Sequence, residues 1–373
     1  MHITLDRCEL LAAARNAEKI APPKSAVATL ECVCLDAEND AVTVTSTNLE
    51  LALAQRVPAE VQESGRMLIP AKWLSGALGV LRTGRVTLQH DAAGRVHILS
   101  GTTEYTLAAP AIEEYPQIAI PFPEDTVFVS GIPAMVKRTV FAISDAIDRP
   151  ALKCINLVFT DDALHAFASD GHRIAMAKGC SKGAAATSLL IPAASFQKLA
   201  QLVGAKDTLR VGVTGKTIVF SKENFLFSAR LMEDQYPNAE YVLSHLQSRF
   251  TILTDAEQMR KALAAVASVA GTQNRFSLTF QADVLQLRLE SELGISTVPL
   301  SVTALSGQPE GVFWYTLDTL RECLRALDGT LTLDVAQQGV LLLTTDELVC
   351  MQTAVRQPKP IEVPNKKQRK NAA

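Results

Sequence analysis

Apolar and polar residues alternate with a period of two along short stretches of this chain, and segments with helical spacing separate those stretches. The same order comes round three times. Ile3-Thr4-Leu5, Val127-Phe128-Val129 and Phe250-Thr251-Ile252 each open a short strand, spaced about 124 residues apart, and each precedes a helical pattern with a basic or alanine-rich run. A pair of half-buried strands is expected next: Ala28 to Leu35 with Ala41 to Thr45, Ile155 to Thr160 with Ala163 to Ala168, and Phe276 to Phe280 with Val284 to Leu289.

The second half of each unit repeats as well. Helices are expected from Pro70-Ala71-Lys72-Trp73-Leu74, Pro192-Ala193-Ala194-Ser195-Phe196 and Thr316-Leu317-Asp318-Thr319-Leu320, where proline or aspartate stands at a starting position. A meander of short strands follows each one, over Val86 to Leu107, Leu209 to Leu231 and Leu331 to Val355. The pattern predicts an α+β chain of three tandem similar domains, each with two helices against β-sheet. The expected bounds are 1–122, 123–246 and 247–356, with linkers at Pro110 to Pro123 and Pro237 to Arg249. Residues 357–373 carry Lys366, Lys367, Arg369 and Lys370 and are expected to form a basic, disordered tail.

Composition narrows the class. With 48% hydrophobic and 20% charged residues, the 373-residue chain can bury several cores. No apolar run reaches the roughly 18 residues that span a bilayer, and the start Met1-His2-Ile3-Thr4-Leu5-Asp6 lacks the layout of a signal peptide, so a cytoplasmic protein with no membrane partner is expected. Seven cysteines, scattered singly apart from Cys32 and Cys34, fit buried reduced thiols better than disulfides or a zinc site, and no metal or cofactor is expected.

The net charge of −3 does not exclude nucleic acid, because basic residues can be segregated on one surface. Lys72 and Arg82, Lys137 and Arg138, and Lys198 belong to helical stretches without acids, whereas the other three helices mix both signs. Such a stripe suits contact with phosphates and carries no means of reading bases.

At Ala168-Ser169-Asp170-Gly171-His172-Arg173-Ile174-Ala175 the chain closely resembles the Thr-Asp-Gly-His-Arg-Leu-Ala segment of bacterial sliding clamps, the β subunits of the replicative DNA polymerase III. Ser46-Thr47-Asn48-Leu49-Glu50, Arg149-Pro150-Ala151-Leu152 with Ile155-Asn156, and Asp234-Gln235-Tyr236-Pro237 through Val242-Leu243 are similar to other segments of that family. The resemblance covers about residues 1 to 355. It implies the DNA clamp fold and a homodimeric, head-to-tail ring of six domains that encircles double-stranded DNA without reading sequence. It also implies a non-catalytic processivity subunit that serves a DNA polymerase, is opened by a clamp loader, and docks peptides of polymerases and repair proteins between its second and third domains.

Carried over by resemblance, the peptide pocket comprises Leu152, Ser169, Gly171, His172, Arg173 and Ile174, with Pro237, Tyr241, Val242, Val349 and Met351. The DNA-facing residues are Lys24, Lys72, Arg82, Lys137, Arg138 and Lys198, and the strand around Tyr105 and Leu107 meets the partner chain near Ser268 and Val269. There are departures from the family pattern. Met351-Gln352-Thr353-Ala354-Val355 replaces the usual Met-Pro-Met-Arg-Leu ending, and Tyr241 stands where arginine is common.

Two other readings compete. Asp170 and His172, with Asp161, Asp162 or His165 nearby, form the strongest candidate for an acid, base or metal site, but the pair lacks a spaced third partner. A protein-binding scaffold that kept the fold and lost DNA is the second, and the one-sign helices argue against it.

Overall fold

The computed structural model describes residues 1–118, 120, 122–144, 148–183 and 187–358. The first repeat runs β1 (His2–Asp6), α1 (Arg7–Ile20), β2 (Cys32–Glu38), β3 (Ala41–Thr47), β4 (Leu51–Glu63), β5 (Gly65–Pro70), α2 (Ala71–Val80), β6 (Arg85–His90), β7 (Arg95–Ser100) and β8 (Thr103–Ala108). The second runs β9 (Val127–Ser130), α3 (Ile132–Thr139), β10 (Cys154–Phe159), β11 (Ala163–Ser169), β12 (Arg173–Lys182), β13 (Thr187–Pro192), α4 (Ala193–Ala200), β14 (Thr208–Thr214), β15 (Thr217–Lys222) and β16 (Phe225–Arg230). After α5 (Ala239–Ser244) the third follows: β17 (Ser248–Asp255), α6 (Ala256–Ala267), β18 (Arg275–Gln281), β19 (Val284–Ser291), β20 (Gly294–Ser301), β21 (Thr303–Ser306), β22 (Glu310–Thr316), α7 (Leu317–Arg325), β23 (Thr330–Ala336), β24 (Leu341–Thr344) and β25 (Leu348–Gln352).

The expected α+β architecture is present, with more strands than the alternation predicted between the first strand pair and the second helix: two in the first and second repeats and three in the third. Two local expectations change. Ala28–Glu31 is a 3-10 turn rather than the start of a strand, with Thr29 and Leu30 buried and the Thr29 hydroxyl donating to the Glu114 carbonyl. The stretch read as a second linker holds α5, whose start is capped by Asn238: its Oδ1 accepts the Tyr241 N–H at 2.9 Å.

Each repeat places its opening strand between two others. β1 pairs with β4 and β6, β9 with β12 and β14, and β17 with β21 and β23. Helix starts and ends are matched too. Asp6 caps α1 through the amides of Cys8 and Glu9, and Asp255 caps α6 through those of Glu257 and Gln258. Arg7 then donates to the carbonyl of Leu78, at the end of α2, and Arg260 to that of Leu324, at the end of α7. Orphaned helix carbonyls are thereby satisfied from the neighbouring helix in both repeats.

By compactness the chain forms two units, Met1–Pro133 with Phe159–Ala163 and Cys180–Glu233, and Ala134–Val158 with Leu164–Gly179 and Asp234–Ala373. In the first, main-chain bonding runs without a break through β5, β2, β3, β4, β16, β15, β14, β9 and the end of β12. One face of α1, made of Leu10, Ala13, Ala14, Ala17 and Ile20, is buried. The four residues up to Ala17 join a core with Val33, Leu35, Val42 and Val44, where small side chains let the helix lie close to the strands. In the second unit, β25 pairs with β12 and β24, while β18 lies between β19 and β22.

The repeat extends to single hydrogen bonds. The Thr47 hydroxyl accepts the Leu49 N–H and donates to the Leu51 carbonyl, while Asn48 Oδ1 accepts the amides of Glu50 and Leu51. Ser169 and Asp170, 122 residues on, make the same four bonds with Gly171, His172 and Arg173. At the third position, Ser291 keeps the bond from the amide two residues ahead, and Glu292 turns instead to the Thr272 amide and hydroxyl. The middle residue of the first two turns is left-handed, Leu49 at φ 75 and Gly171 at φ 91.

A β-carbon on Gly171 would make only ordinary contact, 3.5 Å from Arg149 Nη1, so the backbone alone sets its cost. Gly171→Ala is expected to lower stability by about 1 kcal/mol, and Leu49→Gly to leave it level or raise it. Urea melts of the two variants check this; a Gly171→Ala protein as stable as its parent would contradict it.

Candidate functional site

The turn Ser169–Arg173 lies in the second unit, at the end of β12 that pairs with β25. Asp170 is fully engaged there. Its Oδ1 receives two amides, and its Oδ2 lies 2.9 Å from Arg173 Nε in an ion pair. Arg173, nearly buried, also pairs with Glu322 of α7 and lies over the ring of Phe141. Burial opposes the charge on Arg173, and the bond to Glu322 with the fields of Asp170 and Glu322 more than offsets it, so its pKa is raised. His172 contributes its carbonyl, which accepts both the amide and the hydroxyl of Thr353 at 3.0 Å.

Register then assembles an apolar surface. Ile174 faces Met351 across the β12–β25 ladder, and Met176 faces Val349 one step along. Phe167, Ile174, Ala239 and Met351 form one buried cluster, against which Val158, Met176, Tyr236, Leu243, Leu246 and Val340 pack. Beside it α5 leaves Tyr241 58% and Val242 40% exposed, with Tyr241 stacked on His245 at 3.9 Å between ring centroids.

Of the residues carried over, Ile174 and Met351 thus meet in one cluster. Ser169, Gly171, His172 and Arg173 form the adjoining turn, and Pro237, Tyr241 and Val242 sit at or on α5. Leu152 is buried on a separate 3-10 turn, Pro150–Lys153, which holds the Ser144 amide by its carbonyl. Sequence reasoning missed Met176, Val340, Tyr236, Leu243 and Leu246. Met176 was accessible to it, because period-two alternation puts it on the face of Ile174; Val340 joins only through tertiary packing.

The basic residues divide by environment. Lys24, Lys72, Arg82 and Lys137 are exposed and Lys198 half-buried. Arg82 stands two residues beyond α2, and Arg138 is ion-paired with Glu347. Tyr105 and Leu107 turn inward, Tyr105 edge-on to Trp73 at 5.7 Å, so β8 offers its main chain and Glu104, Thr106 and Ala108 to solvent. Ser268 is exposed at the end of α6, and the Val269 carbonyl accepts the Ser291 hydroxyl. Two thiols depart from the expected burial: Cys8 and Cys180 are exposed, while Cys32, Cys34, Cys154, Cys323 and Cys350 are buried. Burial, with a lesser push from Glu31, raises Cys32 to about 11.

Residues 1–119 match the family described as DNA polymerase III beta subunit, N-terminal domain, and residues 127–238 match its central domain. The chain belongs to the DNA polymerase III beta subunit family. It is similar to proteins named beta sliding clamp: that of Halalkalibacterium halodurans is 23% identical over 83% of this chain and 86% of the relative, and that of Bacillus subtilis 22% over 86% and 90%. The fold agrees with the crystal structure of the Bacillus subtilis sliding clamp at TM-score 0.88 and 19% identity, covering 96% of this chain and all of that one. The Pseudomonas aeruginosa clamp bound to griselimycin aligns at TM-score 0.87 and 19% identity, with the same coverage. This member is a divergent clamp. Among the described residues no helix is long and apolar enough to cross a membrane.

Because Asp170 serves the turn and Arg173, the rival reading of Asp170 and His172 as an acid–base pair has no free carboxylate to use. Asp170→Ala is expected to cost about 1–3 kcal/mol by leaving two amides unmatched and taking from the nearly buried guanidinium one of its two carboxylate partners, and Asp170→Asn clearly less, since the amide oxygen still serves the turn. Denaturant melts of both variants decide; equal costs would contradict the turn role.

Proposed function

We propose that two copies of this chain close head to tail into a ring around double-stranded DNA and tether a DNA polymerase to it. The observation that carries this reading is membership of the beta subunit family over both matched domains. The protein is then a non-catalytic subunit that raises processivity, a clamp loader opens it, and it works in the bacterial cytoplasm. Three domains at 1–122, 123–246 and 247–356 give a six-domain dimer, and residues 357–373 extend beyond them.

Two strand edges support the closure. Among the described residues, β8 pairs with β7 alone and β20 with β19 alone. An open edge is a liability in solution, and a symmetric partner removes it. The contact would be made by the β8 main chain rather than by the side chains of Tyr105 and Leu107, which serve the domain's own core.

Partner peptides of polymerases, the loader and repair proteins would dock on the apolar surface around Ile174, Met176, Val349 and Met351, with Tyr241 and Val242 as its exposed wall. Such a surface takes a leucine or phenylalanine anchor and a few polar contacts. Lys24, Lys72, Arg82, Lys137 and Lys198 would face the duplex, and Arg138 would add less because Glu347 already engages it.

Light scattering at micromolar concentration is expected to give twice the 40.2 kDa chain mass; a single chain mass would contradict the ring. Met351→Ala is expected to weaken a client peptide by roughly 1–3 kcal/mol, the size of a hot-spot loss, with the dimer intact. Unchanged peptide affinity would remove the pocket from this account.

A further inference from the structure

Phe128 on β9 is 50% exposed although β9 is flanked by bonded strands on both sides. Directly opposite it stand Lys182 on β12 and Arg210 on β14. With strands about 4.8 Å apart, the backbone positions of Lys182 and Arg210 lie on either side of Phe128, about 10 Å from each other. Alternation fixes the described neighbours on the same face as Thr126, Ser130, Cys180, Thr208 and Gly212, with Ser221 opposite Arg210 on β15, and none is a carboxylate.

That is a local excess of positive charge in a chain with 39 acids against 36 bases. Lys182 has no ion-pair partner among the described residues. Arg210 is held in place without losing its charge: it donates to Thr126 Oγ1 and lies over the Phe122 ring at 4.6 Å. Gly212 makes this possible, since a β-carbon there would come within 2.3 Å of Pro123 and lift Phe122–Pro123 off β14. The nearest acids along the chain are Glu124 and Asp125, ahead of β9, and Asp207, ahead of β14, which Lys222 engages at 2.7 Å.

We propose that this face binds single-stranded nucleic acid, with one base lying on Phe128 and the adjoining phosphates on Lys182 and Arg210. An exposed ring between two cations matches how single strands are held, by stacking that any base can supply and by charge along the backbone. A duplex has its base faces occupied and could use only the cations. An acidic peptide would likewise leave the ring without a stacking partner. The inference does not depend on encirclement.

The test is the anisotropy of a fluorescein-labelled 15-nucleotide oligo-dT with the full chain, a ligand too short and open-ended for a ring to retain. Phe128→Ala is expected to weaken binding about tenfold, and Phe128→Trp to restore it with quenching of the new tryptophan. Lys182→Ala with Arg210→Ala is expected to flatten the dependence of log affinity on log salt by about 1.4, two phosphates at about 0.7 each. A 15-base-pair duplex should be insensitive to Phe128→Ala. The proposal is overturned if Phe128→Ala leaves oligo-dT affinity unchanged while circular dichroism shows a folded protein, if Phe128→Trp is not quenched, or if a glutamate-rich 15-residue peptide displaces the oligonucleotide at equal charge, which would assign the face to an acidic protein.

Discussion

A β-sheet ends in a row of unmet amides and carbonyls, and the architecture of this chain follows from how those rows are matched. β4 of the first repeat pairs with β16 of the second, and β12 of the second pairs with β25 of the third. The two ladders share one register. Leu51 opposite Ala229 and Ala52 opposite Ser228 recur as Arg173 opposite Gln352 and Ile174 opposite Met351. Each ladder begins where a hydroxyl and an Asx side chain close a turn, so a local sequence signal fixes the start of a long-range pairing. Among the edges left unmatched are β8 at the end of the first repeat's meander and β20 in the third.

Equivalent positions in the two ladders carry different chemistry. Ile174 and Met351 make an apolar floor in the second unit, where Ala52 and Ser228 stand in the first. Arg173 occupies the place of Leu51 and is tied to Asp170 and Glu322, which anchors the turn to α7. A repeated scaffold thus supplies the geometry, and a handful of side chains decides which copy offers an apolar surface. The departures from the usual family ending fall beside this surface: Thr353 uses its amide and hydroxyl to hold the His172 carbonyl.

Much of this was legible in the sequence. Period-two alternation and the recurrence of similar segments gave the strands and the threefold order, because half-buried strands and amphipathic helices must write those patterns. Asp6 and Asp255 stood where helix caps belong. The strands β4, β5, β12, β13 and β20 to β22 were overlooked, since their exposed ends dilute the alternation, as in β4, where residues beyond Val57 are largely in contact with water. The cap at Asn238 was missed because Pro237 reads as a linker. The pairing of Arg138 with Glu347 lay beyond reach, being a contact over 209 residues. For the same reason the contact of the Tyr105 ring with Trp73, across more than thirty residues, could not be foreseen.

The central claim is that this fold holds DNA by topology rather than by adhesion, since each phosphate contact from an exposed lysine or arginine weakens as salt rises. The most direct measurement loads the protein onto a closed DNA circle with a clamp loader and follows its retention in high salt before and after the circle is cut. The account predicts persistence on the intact circle and rapid loss once free ends appear. Equal rates of loss from circular and linear DNA would contradict it.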